Sequence, residues 1–303
     1  MTEPSMATFL DPPADSTAVI ALPTVQAHAV CNGCDAEATT SHRAPRPFVY
    51  AIGRIESRFP SLAVEKEFAQ AVGRAETAGM TDGESFHDVL SRRENRYLVR
   101  QLCWVLSIQG MDTYLLAPRD PMDLDLLVEA LRPRPNANDL DVVIGLRGPI
   151  AGPEVCNGLM IPIVLFDQIY SFSREELIAS IPVPQKSSAQ RFEAAAEELF
   201  NRITQITDNA GATDEDRAAN YAAMRVPSIY AKTAEQFASA SSLTGVEMRS
   251  SPLSTTRNII DIIFSFTDRA TDFTERFAVR VDVTDQFPFL LSRLAPYVTV
   301  GIN

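Results

Sequence analysis

The chain has 303 residues, 46% of them hydrophobic and 22% charged, an ordinary globular balance that affords a sizeable core and excludes a disordered chain. Lys and Arg number 27 against 39 Asp and Glu, a net charge of −12. That sign is wrong for tracking phosphates by counterion release, so nucleic acid binding is disfavoured. Uncharged apolar runs such as Leu159 to Phe166 fall far short of the roughly 18 to 20 residues that span a bilayer, and the N-terminus lacks a basic region followed by an apolar one. A cytoplasmic protein with no membrane contact is expected.

Residues 1–46 carry Pro4, Pro12, Pro13, Pro23 and Pro45 among Ser, Thr, Ala and Asp, with no sustained period, and read as an extended arm. The folded body, residues 47–303, is expected to open with Phe48–Ile52 as a buried strand closed by Gly53. Val64, Phe68, Ala71, Val72 and Ala75 recur at helical spacing within 61–78, and Thr81-Asp-Gly-Glu84 has capping-box spacing for a second helix to about Arg96. Leu102–Ile108 and Thr113–Ala117 flank a Gln109-Gly-Met-Asp112 turn, which predicts a β-hairpin.

A short helix is predicted at 124–131, ended by Arg132-Pro-Arg-Pro135, since proline cannot continue the ladder. Asp141–Leu146 and Leu159–Phe166 read as strands, Pro162 placing the second at an edge or a bulge. Ser173-Arg-Glu-Glu176 repeats the capping signature. Residues 188–207 give the strongest helical pattern, with Phe192, Ala195, Leu199, Ile203 and Ile206 on one face. Thr213 starts a further helix, broken near Pro227 and resumed to about Ala240. Ile259–Phe266 and Phe277–Val283 predict a second long hairpin. Strand pairs separated by helix groups point to an α+β fold with mainly antiparallel hairpins and packed helices.

The four cysteines carry the chemical lead. Cys31-Asn-Gly-Cys34 is a C-x-x-C whose Asn-Gly middle suits a tight turn with positive φ, which can aim both sulfurs to one side. The same trio recurs as Cys156-Asn157-Gly158, and Cys103 is the fourth. Tetrahedral structural zinc needs four N or S ligands, so Cys31, Cys34, Cys103 and Cys156 are read as a zinc site clipping the arm to the body. His28, His42 or water could stand in for Cys103, which lies in an apolar strand and, alone, reads as an inert buried thiol. Four unconnected thiols in a purely structural domain without metal are the next reading, and a redox C-x-x-C is the least, because such pairs open a helix after a strand.

Other clusters read as structural. The three histidines, His28, His42 and His87, sit in no H-E-x-x-H and beside no G-x-S-x-G, and no phosphate-cradling glycine loop is present. Arg93, Arg96 and Arg100, with Arg92 beside them, could receive an acidic group but fit better as a solvated face paired with Glu84, Asp88 or Glu94. Asp120, Asp123 and Asp125 fit turn and N-cap duty, Glu56 with Arg54 and Arg58 an ion-pair network, and Trp104 the core.

Several segments together carry a resemblance. Phe48-Val-Tyr-Ala-Ile-Gly-Arg-Ile-Glu56, Ser61-Leu-Ala-Val-Glu-Lys-Glu-Phe68, Glu94-Asn-Arg-Tyr-Leu98 to Cys103-Trp104, Cys156-Asn-Gly-Leu159 and Phe277 to Asp282 resemble the C-terminal domain of unknown function of cyanobactin (patellamide-type) maturation proteases, the PatA/PatG family, over about 48–295. No part of the sequence resembles the protease, so no catalytic triad carries over. The resemblance implies a free-standing accessory or scaffold protein in ribosomal peptide maturation, with a precursor peptide or a maturation enzyme as partner and no catalytic residue. Exposed strand edges could take an extended peptide by β-augmentation, and an acidic surface favours basic partners. Apolar hairpins that need cover leave a homodimer open. The alternative is a zinc-dependent peptide-tailoring enzyme, with water as fourth ligand.

Overall fold

The computed structural model describes residues 48–75, 79–184 and 188–298, so the arm with its C-x-x-C lies outside the described residues. Nine strands and eight α-helices are present among them. Five strands close a barrel in the order β1-β2-β3-β5-β4: β1 (Phe48–Arg58), β2 (Cys103–Ile108), β3 (Met111–Pro118), β4 (Asp139–Ile150) and β5 (Pro162–Ser173). All neighbours pair antiparallel except β3 with β5, which run parallel. With a helix between β3 and β4, this is the arrangement of the five-stranded Greek-key barrel known as the OB fold.

Helices α1 (Leu62–Arg74), α2 (Asp82–Ser91) and α3 (Arg96–Gln101) fill the β1–β2 connection, and α4 (Leu124–Ala130) joins β3 to β4. Their apolar faces meet one side of the barrel strands. Phe68, Val89, Leu98, Leu127 and Val128 share a core with Val49, Ala51, Leu106, Val164 and Phe166. The second layer comprises α5 (Arg174–Ala179), α6 (Ala189–Thr204), α7 (Asp214–Arg225) and α8 (Pro227–Ala238), followed by a four-stranded sheet. That sheet has the order β6 (Ser241–Ser250), β7 (Ile259–Asp268), β8 (Thr274–Asp282), β9 (Phe289–Pro296). The other side of β1 and β4, through Tyr50, Ile52, Val142 and Ile144, packs into this layer with Phe192, Leu199, Ile229, Ile262 and Val279. Strands β1 and β4 are buried on both faces, which is why their sequences run apolar without alternation.

The mixed α+β class and both predicted hairpins are present, as are the capping boxes at Thr81 and Ser173. Two expectations are corrected. Gly53 does not close β1: it pairs with Asp141 inside the barrel, where a Cβ would lie 2.4 Å from the Ser107 carbonyl oxygen, so glycine is there for close backbone approach. The second helix stops at Ser91 because Arg92 is extended, and a 3-10 turn over Arg93–Asn95 precedes α3. The arginine stripe is therefore split, with Arg92 paired to Asp88 at 2.8 Å and Arg96 to Asp125 at 2.6 Å. Asp120 caps the turn at Met122 as expected, and Trp104 is buried with Nε1 donating to Val99 O at 2.9 Å.

Candidate functional site

The first candidate lies where β1 leaves the barrel and β2 enters it. Cys103 begins β2 opposite Arg58. It is joined by a disulfide to Cys156, 53 residues on, with the Cα atoms 5.6 Å apart. Cys156 stands in the β4–β5 connection, in a turn of three left-handed residues: Cys156 (φ 50°), Asn157 (φ 56°) and Gly158 (φ 86°). This is the conformation expected of Asn-Gly. Both cysteines line a cavity of about 280 Å³ with Arg58, Phe59, Asn157, Gly158 and Leu159. Arg58 is committed to Asp112, in a two-pronged pair at 2.6 and 2.7 Å, and to Glu56 at 3.3 Å. The expected Glu56–Arg58 pairing is present, whereas Arg54 instead donates to the Asp139 and Ala137 carbonyls.

Two of the four expected zinc ligands are thus brought together, but oxidised rather than as thiolates. A sulfur held in a disulfide offers no thiolate, so a metal at this pair requires the bond reduced. Cys31, Cys34, His28 and His42 lie outside the described residues. Among the described residues, no group of three or more His, Cys, Asp or Glu side chains is placed to hold a metal ion.

A second candidate is a polar cleft of about 350 Å³ between the barrel and α5–α6, bordered by Arg54, Ser107, Gln109, Asn138, Arg174 and Asn201. Its polar groups are mostly spent on one another. Arg174 donates to Asn138 and Asn201, and Gln109 Nε2 donates to the Thr204 carbonyl at 2.9 Å. These bonds tie the barrel to the helices. The buried carboxylate nearby, Asp141, accepts from Ile55 N at 2.8 Å and from the Ser171 hydroxyl at 2.6 Å. Burial raises its pKa, and the hydrogen bonds from Ser171 and Ile55 and the positive charge of Arg132 only partly oppose that. Tyr50 is pushed up to about 12 by burial, opposed by Arg225. Neither Asp141 nor Tyr50 lines a cavity described above, so both shifts belong to packing rather than to acid–base work.

The third candidate is the outer edge of β9. The strand pairs with β8 on one side only, and no described strand takes the other. Leu290 and Leu294 turn into the core. Phe289 (43% exposed) and Leu291 (40%) face out, with Phe287 (48%) just before them. Arg257 lies over the Phe289 ring at 5.1 Å. Leu290 N donates to the Tyr221 hydroxyl at 3.1 Å; the rest of this edge, with two half-exposed apolar side chains, is a template for another strand. Sequence reading missed β9: Phe289-Leu-Leu-Ser-Arg-Leu294 puts apolar residues on both faces, so no period of two marks it.

No helix among the described residues is long and apolar enough to cross a membrane. The sequence profile of the PatG Domain family matches residues 48–249, which includes the barrel, all eight helices and nearly all of β6. A solved structure described as "PatG Domain of Unknown Function" is 21% identical to this chain, with a TM-score of 0.66, covering 83% of this chain and 99% of that one. That likeness shows the fold. No curated protein matches the sequence.

Proposed function

The chain belongs to the PatG Domain family, and from that premise we propose an accessory protein of ribosomal peptide maturation that holds an extended precursor peptide along β9. The observation that carries this reading is the unpaired β9 edge with Phe289 and Leu291 turned outward. Main-chain hydrogen bonds along such an edge give affinity with little sequence demand, and the two apolar side chains add contacts at alternate peptide positions. This suits a partner that holds precursors of varying sequence. The net charge of −12 favours a segment with basic residues in it.

The test is fluorescence anisotropy with a labelled precursor peptide, leader and core included. Saturable binding is expected, weakened about tenfold or more when Phe289 and Leu291 are both changed to serine, with the melting temperature nearly unmoved because both side chains are half-exposed. No binding at high micromolar protein, or equal binding by the variant, removes the proposal. Zinc enters this reading only for the reduced chain. Elemental analysis of protein prepared under reducing conditions should give about one zinc per chain, as a single four-ligand site requires, and its absence would remove the metal.

A further inference from the structure

The connection between β4 and β5 covers the outer side of the barrel. Val155, Cys156, Leu159 and Ile161 pack on Val105 of β2, Leu115 of β3 and Ala151. Its backbone hydrogen bonds close on itself: Ala151 N to Ile161 O at 2.9 Å, Val155 N to Gly152 O at 3.1 Å, and Gly158 N to Val155 O at 3.1 Å. Among the described residues, residues 152–160 have no main-chain hydrogen bond to β2 or β3. The loop is therefore held on the barrel by a small apolar patch and one covalent bond, Cys103–Cys156.

The two sulfurs are not equally placed. Cys103 is 5% exposed at the start of β2, whereas Cys156 is half-buried in the loop, and the cavity of about 280 Å³ opens beside both. Cys156 also holds a left-handed backbone at φ 50°, a conformation disfavoured for a non-glycine residue.

We propose that Cys156 is a modification site for low-molecular-weight thiols, and that its modification releases residues 151–161 from the barrel. The thiolate of the small molecule attacks Cys156 Sγ, and the bond to Cys103 Sγ breaks. Cys103 leaves as a thiolate that takes a proton from water, and Cys156 is left in a mixed disulfide with the small molecule. A second thiol can displace Cys156 from that adduct, giving the free small disulfide and a reduced pair, a two-electron reduction of the protein. Release uncovers Val105 and Leu115 on the β2–β3 face, so the bond is a latch over that face. This inference is independent of peptide binding at β9.

The experiment uses the full chain with Cys31→Ser and Cys34→Ser, so that only this pair reports, under native conditions with chelator present. After exposure to millimolar 2-mercaptoethanol and acid quench, peptide mapping is expected to find the adduct on Cys156 and not on Cys103. Amide exchange over 151–161 should rise about tenfold or more while β1 and β4 stay protected, the signature of a local opening. In Cys103→Ser, the free Cys156 should be modified by the oxidised form of the same reagent; in Cys156→Ser, Cys103 should not. A bond that resists native reduction, an adduct on Cys103, or cleavage without faster exchange in 151–161 would each overturn the proposal.

Discussion

Replacing Arg217 with alanine is expected to lower the free energy of unfolding by about 3–5 kcal/mol, among the largest effects of any single change in this chain. Arg217 sits in α7 with 1% of its surface exposed. Its guanidinium donates to Asp214 at 3.1 Å and to the carbonyls of Val283 at 2.9 Å, of Asp285, and of Gln286 at 3.4 Å, while lying over the Phe48 ring at 5.2 Å. One side chain thus joins α7, the first residue of the barrel and the turn into β9. Burial pulls its pKa down and Asp214 opposes that, so the group remains a cation that the fold must satisfy. Alanine would leave a cavity, remove the guanidinium donor from three carbonyls and leave the Asp214 carboxylate with Asn258 in place of a cation. Urea denaturation measures the loss, and a change below about 1 kcal/mol would show that water replaces the guanidinium without penalty.

The second large effect belongs to Gly211. Its φ of 70° is strained for any residue with a Cβ, and that Cβ would lie 2.4 Å from Tyr50 O and 2.6 Å from Ala51 Cα, both backbone atoms of β1. The contact is a joint between the barrel and the α6–α7 connection. Tyr50 N donates to Gly211 O at 2.9 Å, Asn220 Nδ2 donates to Tyr50 O at 2.9 Å, and Asn209 and Asn220 are bonded to each other at 2.8 Å. Gly211→Ala should cost about 2–4 kcal/mol, since neither left-handed strain nor a backbone clash can be relieved by a rotamer change. Thermal unfolding followed by circular dichroism reads it. An unchanged melting temperature would mean that β1 and the connection can part without loss.

Local rules made much of the fold legible. The capping boxes at Thr81 and Ser173, the apolar face of α6, and the break at Pro227 between α7 and α8 all follow from short-range chemistry, and each stands in the structure. Barrel closure was not legible, because the parallel pairing of β3 with β5 joins strands that are not neighbours in sequence. Strand β6 was missed for a different reason. A register shift between Leu243 and Gly245 puts Leu243 and Val246 into the same core three residues apart, which destroys the period of two. Strand β9 also carries register shifts against β8. At the candidate sites, the recurrence of Cys-Asn-Gly picked out Cys156 and its turn, while counting thiols could not distinguish a metal shell from a disulfide. The pairing of Cys103 with Cys156 depends on where β2 and the β4–β5 connection meet in space.

The measurement that tests peptide binding at β9 most directly is hydrogen exchange on the full chain with and without a saturating precursor peptide. Added strand pairing would protect main-chain amides of β9 bonded neither to β8 nor, as Leu290 N is, to the Tyr221 hydroxyl, so slowed exchange confined to 289–296 and its immediate neighbours is the predicted result. Protection located elsewhere, with β9 exchanging as fast as in the free protein, would contradict it.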